Sequence, residues 1–218
     1  MKTSLTLVSV RGGWPDDSPP RSACFGLPPQ GESGASYESL ASYFRRLSAY
    51  HGIFPRAFAD RAVRPLFHVQ EMRTLHFSLY RSTMNGASGS AAAWANALEK
   101  PTMRTDLTPR TLLPLRTLIP LIKLLSSNVR FCPDCFGEDE SAGRQQYSRL
   151  LWSIHCVEAC PLRNTLLETA PEAPKHKRYT LWLPGFSRID GTSLANRPPT
   201  KARNEQVRSA QLVAQLLD

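Results

Sequence analysis

The sequence predicts a mainly α-helical protein with a small β component. A helical region of helix-turn-helix-like character comes first, a short cysteine-bearing region follows, and a helix ends the chain. Three observations predict this. From residue 36 to about 128, apolar residues recur at three- and four-residue spacing, the period of a helix with one buried face. After Arg130 that period gives way to short, turn-rich pieces that carry four of the five cysteines. The final segment, "NEQVRSAQLVAQLLD", returns to helical spacing.

Residues 1–35 contain "GGWPDDSPPRS" and "GLPPQGESGAS", whose Gly, Pro and Ser favour turns and extended chain, so this stretch is expected to be poorly ordered. A helical, helix-turn-helix-like domain is assigned to residues 36–128. Its first helix is "YESLASYFRRLSAYHG", with Ser36 as the expected cap and Gly52 as the stop. Leu40, Phe44, Leu47 and Tyr50 share one face, and Arg45 and Arg46 lie mostly off it. A solvated helix edge is the plainer reading of that arginine pair, and contact with nucleic acid or a partner is the functional one. Shorter apolar pieces follow ("FPRAFADRAV", "LFHVQEM", "LHFSLYRS"), then a loop at "NGASGS" and an Ala-rich helix carrying Trp94 and Leu98. Thr108 and Pro109 read as cap and first helical residue. In "LTPRTLLPLRTLIPLIKLLSS", Pro114 and Pro120 predict short kinked helices, and with Arg110, Arg116 and Lys123 they speak against a membrane span.

Residues 129–195 form the cysteine-bearing region. "FCPDCFGEDE" reads as turn-rich, "YSRLLWSIHCVEACP" as a short strand, and "APEAPKHKRYTLWLPGFSRIDG" as loop, strand and turn. Residues 196–218 are a linker and an amphipathic helix with Val207, Ala210, Val213 and Leu217 on one face.

The 218 residues carry a net charge of +9, which suits a polyanionic partner such as nucleic acid and equally suits plain solubility. The opening "MKTSLTLVSVRGG" has a weak apolar run without a small-residue cleavage site, and no run approaches the roughly 20 residues of a membrane span. A soluble protein of a reducing compartment is expected. There, clustered cysteines bind metal more often than they form disulfides.

Cys132 and Cys135 have the Cys-x-x-Cys spacing that sets two thiolates on one side of a tetrahedral ion. Cys160 belongs to the second half of such a site, but the residue three positions on is Arg163, which cannot coordinate zinc. Beside a cation this arginine is expected to turn away, towards Asp134 or Glu138. On a strand, Cys156 and Cys160 would lie roughly 13 Å apart, so Cys156 serves only if the chain turns between them. His155 has the same difficulty, and His176 is a distant candidate. Three buried thiols without metal is the plain alternative. A redox pair lacks the expected strand and helix around it. An open catalytic zinc site lacks a Glu or His set to use its water.

Taken together these segments resemble the TniQ family of bacterial transposition modules. Its opening "GESLxSYxxRLA" is matched by "YESLASYFRRLSAYHG", and its leucine-rich segment by "LTPRTLLPLRTLIPL". "R-x-CPxCLxED" is matched by "RFCPDCFGEDE", and "YxRLLWxxxxVxxCPxHxxxLL" by "YSRLLWSIHCVEACPLRNTLL". The resemblance covers roughly residues 28 to 195. It implies a degenerate zinc-ribbon region. Cys132, Cys135 and Cys160 match the first site, with Arg163 at its His position. A second site keeps its outline in "TAPEAPK" and "LPGFSRIDG" but has Ala170, Ala173, Ser187 and Asp190 in the cysteine positions. At most one zinc is therefore expected, with its fourth ligand unassigned.

The resemblance further implies a non-enzymatic targeting adaptor in the bacterial cytoplasm. Its partners would be an AAA+ transposition ATPase and either DNA or an RNA-guided complex of a CRISPR-associated transposon, with self-association compatible and no membrane involved. A zinc-ribbon or helix-turn-helix DNA-binding regulator is the alternative, and a zinc hydrolase a remote third.

Overall fold

In the computed structural model of the chain, residues 22–67, 81–118, 124–170 and 194–218 are described. The protein is mainly helical, with four two-residue strands among the described residues.

Helix α1, Leu40–Tyr50, is capped by Ser39, whose hydroxyl accepts from the Ser42 amide. Ser36, expected in that role, instead takes the Glu32 and Ser33 amides on its Oγ and closes a turn ahead of the helix. The cause is tertiary: Glu38 makes an antiparallel bridge with Arg149, which keeps the chain extended until Ser39. Gly52 ends the helix region in the left-handed conformation (φ 65°), where a side chain is disfavoured. Leu40, Phe44 and Leu47 are wholly buried, but Tyr50 at the end of the helix is 56% exposed and leaves the expected stripe.

A four-residue turn leads to α2, Pro55–Phe58, which Pro55 starts at its first position and which runs on through a π-turn at Ala59–Val63 and a 3-10 turn at Arg64–Leu66. Helices α3, Arg81–Asn85, and α4, Gly89–Thr102, follow in the helical layer. The first core lies among them. Trp94 meets Phe44 and Phe67 edge-on with ring centroids 5.4 and 5.3 Å away, and Tyr43, Phe58, Met84 and Leu98 fill the remainder. Such edge contacts add about 0.5–1.5 kcal/mol per pair beyond simple burial. Pro109 and Pro114 do break the leucine-rich segment, and Pro120 lies outside the described residues. Two 3-10 turns, Thr108–Arg110 and Leu113–Leu115, stand where short helices were expected. Thr108 is not a side-chain cap there; its amide donates to Glu99 Oε1.

The stretch 22–35 is held rather than loose. Cys24 N–H donates to the Pro101 carbonyl, Arg46 to that of Pro28, and Arg110 to those of Gln30 and Gly31.

Past Asn128, strand β1 (Arg130–Phe131) leads into α5 (Pro133–Ser141), so "FCPDCFGEDE" is mostly helix. Pro133 at the first helical position and Asp134 in the first turn favour that start. The expected strand over "YSRLLWSIHCVEACP" is interrupted by a 3-10 turn, Leu150–Ser153, which leaves isolated bridges at Arg149 and Ile154 and the two-residue β2, Ala159–Cys160. Adjacent Leu150 and Leu151 face the same core, which the alternating faces of a strand cannot arrange. The segment threads between two cores: Leu150, Leu151 and Ile154 face Leu112, Leu115 and the last helix, while Trp152 faces Phe131 and Phe136. Backbone bonds fasten it to the helical layer, from Ser39 N–H to the Ser148 carbonyl and from Leu150 N–H to that of Tyr37.

Strand β2 pairs antiparallel with β3 (Thr165–Leu166), and β1 with β4 (Glu168–Thr169). The last helix, α6 (Asn204–Gln215), buries Val207, Ala210 and Ala214, and Leu217 just beyond it is buried too. It returns to the start of the fold, where Gly34 N–H donates to Asp218. No helix among the described residues is long and apolar enough to cross a membrane.

Candidate metal centre

Two elements supply the three thiols. Cys132 is the residue that caps the start of α5, and Cys135 lies in that helix's first turn. Cys160 ends β2, opposite Thr165 on β3. The Cys-x-x-Cys pair thus sits on a strand-to-helix junction, the flanking structure that the sequence did not reveal. The three sulfurs lie within 4.8 Å of one another, with Cys135 and Cys160 Sγ atoms 3.5 Å apart. All three residues are wholly buried, in a shell of Phe131, Phe136, Trp152, Ala170 and Leu194. That cover hinders exchange with an outside disulfide, and a third thiol in the cluster suits ion binding better than redox pairing.

The thiols are not equivalent. Hydrogen bonds from Cys135 and Cys160, then from the Thr165 hydroxyl 3.2 Å away, hold Cys132 well below the ordinary thiol pKa. The same bonds to the Cys132 sulfur raise Cys135 and Cys160 above it. A bound ion would displace the thiol protons. The donor chemistry therefore fits a thiophilic metal ion, with three ligands among the described residues.

Arg163, on the turn after β2, forms an ion pair with Glu138 on α5. The pair holds the Glu138 carboxyl below its usual range and raises the guanidinium. Of the two carboxylates considered from sequence, the arginine takes Glu138.

Cys156 and His155 are both exposed and outside the cluster; the chain turns at 155–156 without bringing either sulfur or imidazole to it. Cys24 is buried against the helical core. His176, Ala173, Ser187, Asp190 and the expected strand at "TLWLPGF" fall in residues 171–193, outside the described residues. Ala170 packs its methyl into the shell of the thiols.

Arg46 does not lie on a solvated edge. It is 3% exposed, and its Nε and Nη2 reach the two oxygens of the buried Glu38 at 2.7 Å each. An external partner has no access to it. Arg45 is half-buried, and that burial lowers its pKa. A second buried pair escaped the sequence reading altogether. Arg149 holds both oxygens of Asp139 at 2.6 and 3.0 Å, and its guanidinium lies over the Tyr147 and Trp152 rings, 3.8 and 4.9 Å from their centroids. This clamp fixes α5, which carries Cys135, against the threaded 147–154 segment. The only trace of it in the sequence was the presence of both residues inside the matched motifs.

Over residues 33–167 the chain is similar to the family model described as TniQ, a span of more than half its length that contains all three thiols. No curated protein matches the chain.

Proposed function

The chain belongs to the TniQ family, and from that premise we propose that it is a non-enzymatic adaptor of bacterial DNA transposition that couples a target-recognising element to an AAA+ ATPase. The observation that carries this reading is the extent of the family match, which runs unbroken from the turn before α1 through the β2–β3 hairpin. The target element is DNA or an RNA-guided complex, approached by a protein of net charge +9 in the bacterial cytoplasm. In this reading Cys132, Cys135 and Cys160 are structural ligands that tie α5 to the β2–β3 hairpin. They hold at most one zinc, more loosely than four ligands would.

Co-purification with the AAA+ ATPase of the same mobile element tests the proposal. Stable capture of the ATPase, with weak affinity for free DNA, is the expected result. Absence of any complex, together with tight DNA binding by the chain alone, would refute it.

The alternative of a DNA-binding regulator has one specific support. Helix α1 is followed by the turn at Gly52 and the short α2, and exposed Arg56 on α2, with Arg61 and Arg64 on the turns after it, would offer cations to a polyanion. Arg56 and Arg64 also pair with Asp60. Measuring DNA affinity against salt separates the readings. A specific regulator would keep sequence preference as salt rises, whereas phosphate contacts alone fade steeply and without preference.

A further inference from the structure

Aromatic rings stand in water around the turn between α1 and α2. Phe54 is 80% exposed, and Tyr50 and Phe25 are 56% exposed each. Contiguous apolar surface of this kind marks binding sites. These rings are anchored from within. Buried Phe58 packs on Phe44 of the helical core with ring centroids 5.6 Å apart, and His51 stacks on Phe58 at 5.2 Å. Phe25 lies on His51 at 4.7 Å. The four rings form a ladder that starts in the core and ends at the surface. The Phe25 amide donates to His51 Nε2 at 3.3 Å, which ties the outermost ring to the one beneath it. A ladder held in this way loses little freedom when a further flat group joins its open end.

The charge beside the rings is one-sided. Arg56 follows Phe54 by two positions, and Arg61 and Arg64 continue along the next two turns, all of them exposed. Against these three arginines stands Asp60, which pairs with Arg56 and Arg64. Open aromatic faces beside an excess of cations suit a polyanion that itself has flat faces, with bases on the rings and phosphates on the arginines. An acidic peptide would satisfy the arginines, but an aromatic stack is continued by another π system rather than by an aliphatic side chain. Duplex DNA suits the surface poorly. Helix α2 has four residues and is only about 6 Å long, at about 1.5 Å per residue, too short to lie along a major groove. The base faces of a duplex are also covered by their neighbours.

We propose that Phe25, Tyr50 and Phe54, together with Arg56, form a stacking platform for the unpaired bases of single-stranded DNA. Recognition is by ring faces and phosphates, so it tolerates sequence. The choice of DNA rests on the adaptor reading, which sets the protein at a transposition target, and the proposal deepens that reading: the DNA it meets is a strand already parted from its complement.

The experiment titrates the full chain into a fluorescein-labelled oligothymidylate of about 15 nucleotides and reads anisotropy at about 50 mM and about 200 mM salt. Binding is expected at the lower salt. Phe54→Ala weakens it about fivefold or more, the loss of one stacked base, and leaves the salt slope unchanged. Phe54→Leu, which stays apolar, loses as much as the alanine variant, and Phe54→Tyr restores affinity to within about twofold, because only a ring can stack. Arg56→Gln weakens binding and lowers the salt slope by about one, the loss of one phosphate contact. Phe54 is so exposed that its variants keep the thermal unfolding of the parent, which separates lost binding from lost fold. No binding at about 50 mM salt, or binding that Phe54→Ala leaves intact, overturns the proposal. Tighter binding of a duplex or of oligouridylate also overturns it, and assigns the surface to duplex DNA or to RNA. Phe54→Ala that spares oligothymidylate but abolishes capture of the AAA+ ATPase assigns the rings to a protein partner. Loss of the platform with ATPase capture intact leaves the adaptor reading standing. Stacking on oligothymidylate without any ATPase capture refutes that reading and leaves the platform.

Discussion

Replacing Arg46 with Met should cost the protein about 3–5 kcal/mol, the penalty for stranding a buried charge whose partner is removed. The geometry supports a value in that range. Glu38 is wholly buried, and its carboxylate accepts two bonds of 2.7 Å from Arg46, one of 3.0 Å from Ser42 Oγ and one of 3.0 Å from the Gln30 amide. In Arg46→Met the two charge-assisted bonds vanish, and the carboxylate keeps only two neutral donors without water to replace the loss. The methionine retains most of the buried apolar stem, so the loss reflects charge and hydrogen bonding rather than a cavity. In urea the midpoint should fall by roughly 2 M, given a slope of about 1–3 kcal/mol/M. The unfolding is followed by the fluorescence of Trp94 and Trp152, both buried. The double variant Glu38→Gln/Arg46→Met removes both charges and should recover at least about 2 kcal/mol of the single loss. A single-variant loss under about 1 kcal/mol would refute the reasoning. If that variant stayed stable but lost affinity for DNA or a protein partner, Arg46 would be a contact residue after all.

Asp139→Asn should destabilise by about 3 kcal/mol, since Arg149 is left buried without its counter-ion. It should also weaken metal binding, because α5 carries Cys135; denaturation paired with a metal titration checks both. Gly34→Ala sets a Cβ 2.1 Å from the Ala214 carbonyl oxygen and 2.8 Å from Leu217 Cβ, so α6 must shift, at a cost of about 1–3 kcal/mol in thermal or urea unfolding. Burial pushes Tyr43 up to about 12, so the folded state holds its phenolic proton more tightly than the unfolded state does. Its contribution is complete below about pH 10 and is lost as pH rises through about 12, at up to about 1.4 kcal/mol per pH unit. Tyr43→Phe should flatten that alkaline decline in unfolding measurements at pH 9, 10 and 11.

Local pattern sufficed for several parts of this protein. The stripe of Leu40, Phe44 and Leu47, the Ala-rich helix with Trp94 and Leu98, and the closing helix with Val207 and Ala210 are each visible at short range, because helical period and burial coincide there. Pro114 in the leucine-rich segment likewise announces a short turn. The two Cys motifs and their order carry the family assignment and the choice of Cys132, Cys135 and Cys160. Other features depend on residues distant along the chain. Ser36 loses its capping role because Arg149, more than a hundred positions away, holds Glu38 extended. The 150–154 segment gives up its strand because two separate cores claim its successive side chains. Arg46 and Arg149 look like surface cations in sequence and are buried, since each finds a carboxylate that satisfies its guanidinium. The sequence alone determined the first, the Ala-rich and the closing helix, the family, and the choice of three cysteines as candidate donors. The tertiary structure decided which charges are buried and that the three thiols form a covered cluster, because charge burial and ligand convergence are settled by partners that meet only when the chain has folded.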